Sequence, residues 1–305
     1  MRQYTRLTKS IFNEKLYDIN KDVDFIYNKV YKNTIENIFK NKISIQQLDS
    51  IINKKFIIKS GELLSKDCIE ANKVDPVVIS CEYYNEEGTG YDALQKNNLI
   101  IITTDINLLY SIVENNYEYD LDLEDHLKNS IALFNKAPHK LQQYVEKDFK
   151  FKIAHELTHW VDDVSHGRFL LKRQIKANDI INNTLLKKET KDKLLLQILS
   201  KGKGHIYVSD TEINAMIHQI SKLKSELSDY KWNTISLEQM LYHVQIFHTF
   251  KKIKDKIGRE KFYNFQKQFL KRLSKEGLLG KNMNKLVLIE TIENIILKYD
   301  LRTRS

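Results

Sequence analysis

The stretch 152-KIAHELTHWVDD-163 decides how this chain of 305 residues is read, because it sets His155 and His159 four apart with Glu156 directly after the first. On an α-helix a step of four residues turns about 400°, so the two imidazoles fall about 40° apart on one face and one turn apart in height. Two imidazoles so placed can share one metal ion. Glu156 is rotated about 100° from His155, which puts its carboxylate beside a metal's open position instead of on the metal. That is where a general base belongs. Ile153, Leu157, Trp160, Val161 and Val164 occupy the other side, so the same helix can bury one face and show its histidines to a cleft.

Working outward, residues 1–60 carry Ile, Phe, Leu and Tyr at helical spacing through FIYNKVYKNTIENIF and ISIQQLDSIINKKF, with no Pro or Gly, and read as an N-terminal helical region. From Asp75-Pro76 the pattern changes. VVISCEYY (77–84) and LIIITTD (99–105) are short β-branched runs separated by NEEGTGYDALQKNN, and they read as strands of one small sheet. A helix ending near Ala137-Pro138 follows, then the helix of the opening motif, then a polar, Lys-rich connection with KGKG at 201–204. Another helix is expected from near Asp210, and 231–305 is almost all helical pattern, punctuated only by Gly258, Gly277 and Gly280. The expected division is therefore 1–60, a core at 61–230 and a helical region at 231–305.

A catalytic zinc usually has three protein ligands, so the two histidines need a third partner. Asp162 and Asp163 lie on or near the histidine face, but two helical turns from His155 is about 10 Å along the axis, too far for bonds of about 2 Å to one ion. They fit either as acceptors for imidazole N–H or as surface carboxylates. Downstream, HIYVSDTEINAMIHQI (205–220) offers Glu212 in the first turns of a helix that Ser209 or Asp210 would cap, with the small Ala215 on the same face. His205 and His218 stay open as ligands. Tyr207 and His205 are the nearest donors for an oxyanion that develops during hydrolysis.

His155, Glu156 and His159 match the HExxH signature, and in these residues the chain resembles the zincin metallopeptidases. The metzincin branch would need Gly at 162 and His at 165, where this chain has Asp162 and Ser165, with His166 out of step. The E-x-x-A of Glu212 and Ala215 instead resembles the third-ligand helix of glutamate zincins. Over about residues 75–225, HELTHWVDD followed by YVSDTEINA is similar to catalytic domains of the anthrax lethal-factor type and to metallopeptidases encoded by large bacteriophages. Met216 stands where thermolysin-like members carry an Asp. The resemblance implies an α+β, zincin-like fold, mainly helical, with a small mixed β-sheet beside the active-site helix and helical regions at both ends. It implies a zinc-dependent peptidase with His155, His159 and Glu212 on Zn2+, Glu156 as general base and Tyr207 as oxyanion donor. A protein or peptide substrate would add as a strand to an edge within Gly88 to Asp105.

Composition limits the alternatives. The 42% hydrophobic content suffices for a core, and two cysteines, Cys68 and Cys81, cannot make a disulfide framework. The first twenty residues are charged throughout and no window approaches the roughly twenty apolar residues of a membrane span, so a soluble, cytoplasmic protein is expected. For a phage-encoded chain that means host cytoplasm or virion. A deformylase-like zinc amidase with Cys81 as third ligand is one rival reading, although Cys81 sits in an apolar run without a Gly-rich ligand loop. The other is a binding protein: Lys251 to Glu276 has ten Lys or Arg against three acidic residues, interleaved with Phe262, Tyr263, Phe265 and Phe269. The net charge of +9 allows a nucleic-acid partner without indicating one.

Overall fold

The structure is a computed structural model and describes residues 16–40, 44, 46–48, 55–57, 62–82, 90–93, 98–103, 136–200, 203–244, 246–279 and 285–302. It is mainly helical with one small sheet. Two compact units divide the chain, one of residues 18–165 and one of 1–17 with 166–305. The boundaries expected from the sequence lie at 60 and 230; within the first unit the first two helices pack on the motif helix.

The unit of 18–165 contains α1 (Asn20–Val30), α2 (Lys32–Phe39), β1 (Lys55–Ile57), α3 (Lys66–Val74), β2 (Val78–Glu82), β3 (Gly90–Asp92), β4 (Leu99–Thr103) and α4 (Pro138–Ser165). The sheet order is β1-β2-β4-β3, mixed: β2 and β4 run parallel with Val78 opposite Leu99, while β1 and β3 flank them antiparallel. Parallel neighbours need a long crossover, and within it β3 forms the outer strand. β4 is an apolar run with Leu99, Ile100 and Ile102 buried, as a covered inner strand should be. Asn98 turns the chain into β4 at φ 47°, a left-handed conformation that Asn tolerates. Its Nδ2 donates to the Pro76 carbonyl at 3.3 Å.

Several expectations are corrected here. Lys55–Ile57, inside the region read as helical, is a strand held by pairing with β2, and Gly90–Asp92, inside the presumed connection, is a strand held by β4. Three residues are too few to show a strand period, so only the pairing defines them. Residues 83–84 and 104–105 of the two expected strands, and all of the expected helix before Ala137 except Lys136, lie outside the described residues. Pro138 opens α4 at the first position, where its missing N–H costs nothing.

α4 is the central element of this unit, packed against α1, α2, α3, β3 and β4. From Phe151 to Asp163 nearly every residue is buried. Trp160 is fully buried and its indole N–H donates to the Asp75 carbonyl at 3.1 Å, tying α4 to the end of α3. Trp160→Ala should therefore cost about 3–5 kcal/mol, measured as the shift in denaturant midpoint; a loss below about 1 kcal/mol would contradict this packing. The buried Asp22 carboxylate of α1 accepts from the backbone N–H of Leu64 at 2.6 Å and of Ser65 at 2.9 Å, and from the Ser65 hydroxyl. Cys68, in the first turn of α3, is a free buried thiol. Burial pushes its pKa well up and the Asp22 carboxylate adds to the effect, so it is a protonated structural thiol.

Among its described residues the other unit has helices and no strand: α5 (Phe169–Asn182), α6 (Lys188–Ser200), α7 (Lys203–Glu226), α8 (Asp229–Thr234), α9 (Leu237–His243), α10 (Phe247–Ile257), α11 (Arg259–Lys275) and α12 (Lys285–Arg302). The polar, Lys-rich connection expected after α4 is thus mostly helix, since lysine is a good helix former and polarity alone does not mark a loop. α7 packs against α6 and α11, and buries Ile213, Ala215, Met216, Ile217, Ile220 and Leu223. α10, α11 and α12 pack on one another around Phe250, whose ring meets Phe262, Phe265 and Phe269 edge-on at 5.2–6.3 Å. Glu293 of α12 accepts from Lys254 at 2.7 Å and from Gln266 at 3.1 Å, joining the three helices at a polar point. Among the described residues no helix is long and apolar enough to cross a membrane.

Candidate metal centre

α4 keeps its chemistry on one side. At 100° per residue, Asp162, His155, His159, Asp163 and Glu156 fall within an arc of about 120°, and Trp160, Ile153, Leu157, Val161 and Ala154 fill the opposite one. Glu156 is 4% exposed, His159 8%, and Asp162 and Asp163 are fully buried. Removing this many ionisable groups from water costs several kcal/mol unless partners or a cation hold them. The Thr158 hydroxyl donates to the Ala154 carbonyl at 2.7 Å, which satisfies it without leaving the helix.

The Nε2 atoms of His155 and His159 are 3.1 Å apart, with the ring planes inclined at 81°. At that distance one ring can donate to the other, according to tautomer. The same separation suits one shared ion: two bonds of about 2.05 Å at a tetrahedral angle put the nitrogens about 3.3 Å apart. A carboxylate oxygen of Glu212 completes the group, the three ligand atoms all lying within 4.8 Å of one another. Among the described residues this is the cluster able to hold a metal ion. Two imidazoles and one carboxylate, with Glu156 alongside on α4, match the donor set of a hydrolytic zinc site, which keeps a position open for water.

Glu212 reaches this position by a different local route from the expected one. α7 begins at Lys203, so Ser209 and Asp210 stand inside the helix instead of capping it, and Glu212 is in the third turn. KGKG reads as punctuation, yet a helical Gly204 costs only about 1 kcal/mol against alanine, which a long helix absorbs. Ala215 is fully buried one turn beyond Glu212, and so is Met216.

His218 is removed as a ligand. Its Nε2 accepts the Tyr17 backbone N–H at 2.8 Å and its Nδ1 faces the Asn214 carbonyl at 2.7 Å, so Nδ1 carries the proton and neither nitrogen is free for a metal. The Tyr17 ring stacks on it at 5.3 Å. The side chains of His205, Tyr207 and Cys81 lie outside the described residues. Asp162 and Asp163 are not surface carboxylates, because α4 is enclosed on that side as well.

One residue that sequence reasoning passed over is Tyr91 on β3. Its hydroxyl lies 3.1 Å from Asp163 Oδ2 and 3.2 Å from Asn98 Oδ1, and donates to one of these acceptors at a time. It thereby pins the outer strand to the motif helix. With sixteen tyrosines in the chain and 72 residues between the partners, no local signal marks it.

Comparison with models of protein families, with curated proteins and with solved structures finds no match to this chain.

Proposed function

We propose that the protein is a zinc-dependent peptidase with a zincin-like core, holding Zn2+ through His155, His159 and Glu212. The observation that carries this reading is the convergence of two helix-borne imidazoles and a carboxylate from 53 or more residues further along the chain, beside the HExxH glutamate. A zinc ion bound there supplies Lewis-acid polarisation of water and of a scissile carbonyl. Glu156, held on α4 next to the imidazole pair, takes the proton of the attacking water and returns it to the departing amine nitrogen. Tyr207 is assigned as donor to the developing oxyanion, from the resemblance and its place on α7. An extended peptide would pair with β3, the outer strand beside α4, so that main-chain hydrogen bonds align the scissile bond.

Zinc content tests the ligand set. Purified protein dialysed against a zinc buffer should hold about one equivalent, and Glu212→Ala should bind more than about a hundredfold more weakly, because a two-histidine site lacks the third bond that catalytic zinc requires. Metal analysis showing equal occupancy in the two proteins would remove Glu212 from the site. Total absence of zinc from the wild type at saturating metal would remove the peptidase reading with it.

A further inference from the structure

The basic segment near the C-terminus takes no part in the metal centre. α11 is divided lengthwise: Phe262, Phe265, Phe269, Leu270 and Leu273 are buried, while Arg259, Lys261, Tyr263, Lys267, Lys271 and Lys275 are exposed. Arg259, Tyr263, Lys267, Lys271 and Lys275 succeed one another every fourth residue, so they make one continuous ridge about 24 Å long. Four of its five members are cationic and none is acidic. Arg259, Lys267 and Lys271 have no carboxylate partner among the described residues, and Glu260 is the one acid the helix exposes. Arg272 pairs with Glu276 on the buried side and is not part of the ridge.

Tyr263, 39% exposed, interrupts the cations, with the Lys267 ammonium 4.1 Å from its ring centre. An aromatic ring set among cations is the composition with which proteins hold single strands: the cations follow phosphates, and the ring stacks on an unpaired base. A bilayer does not fit, because the apolar residues of α11 are committed to the core and no apolar face is left to enter lipid. An acidic protein would use the lysines and leave the tyrosine without a task. We infer that the ridge from Arg259 to Lys275 is a docking surface for single-stranded nucleic acid, with its four cations on phosphates and Tyr263 under a base. The inference is independent of the metal centre and holds equally for Glu156→Gln protein.

The test is fluorescence anisotropy of a labelled single strand of about twenty thymidines with the full chain, titrated over salt. Four phosphate contacts predict a slope of log K against log salt of about −3. The K267Q/K271Q variant should bring the slope to about −1.4 and weaken binding at least about tenfold at low salt. Tyr263→Ala should weaken binding about tenfold and leave the slope unchanged, because stacking releases no counterions. A K188Q/K193Q control, which removes the same charge from exposed lysines of α6, should change neither. The inference is overturned by no binding at about 50 mM salt, by equal losses in the ridge and control variants, or by a neutral Tyr263→Ala. It is overturned too if a duplex or polyglutamate competes as well as the single strand. All substituted side chains are exposed, so the fold should survive each change.

Discussion

Replacing Glu156 with glutamine should leave zinc stoichiometry unchanged and lower peptide hydrolysis by roughly 10²–10⁴-fold, the range that a positioned general base contributes. The two side chains are nearly isosteric, so the buried position on α4 keeps its packing. Glu156 is turned away from the imidazole pair, so a carboxamide there leaves both nitrogens in place. What glutamine lacks is the capacity to take a proton from water. The measurement is cleavage of an unstructured peptide mixture by mass spectrometry, with zinc quantified in the same samples. Hydrolysis at the wild-type rate by Glu156→Gln protein would sink the assignment of the base. Loss of zinc together with loss of activity would instead place Glu156 among the ligands.

The second large effect concerns His159. Zinc at a thousand times its dissociation constant stabilises a protein that binds it only when folded by about 4 kcal/mol, which appears as a rise of several degrees in Tm. His159→Ala should abolish most of that rise. The substitution also removes a ring that lies against His155 with 4.7 Å between centroids, so the metal-free proteins must be compared as well. The difference between metal-free Tm values reads the packing, and the difference in zinc-induced shift reads the coordination. A variant that keeps the full zinc-induced shift would show that zinc, if it binds, is held elsewhere.

Much of the site is legible because its chemistry is local. HExxH needs only helical geometry to place two imidazoles on one face and a carboxylate beside them, and the apolar residues around the motif have the same period. The runs that became β2 and β4 were legible for a similar reason, as stretches rich in β-branched residues bounded by turn signals. Both basic and aromatic residues of α11 also carried a helical period that divides them between surface and core. Where local signals competed, the reading went wrong: glycines at 202 and 204 look like a turn, yet the helix that carries Glu212 runs through Gly204.

The helical period of 152–163, the pairing of His155 with His159 and the position of Glu156 follow from the sequence alone, because they depend only on the rotation per residue. The tertiary structure decided the rest. β1 and β3 exist as strands because β2 and β4 offer them backbone partners, not because three residues prefer to be extended. Asp163 is buried and held by Tyr91, and His218 is occupied by Tyr17, through contacts spanning 72 and 201 residues. A period along the chain states which face turns inward. It does not state which distant donor will be there to satisfy a buried carboxylate or imidazole, and that choice is made only when the chain returns and the cost of burying an unpartnered polar group selects among the partners.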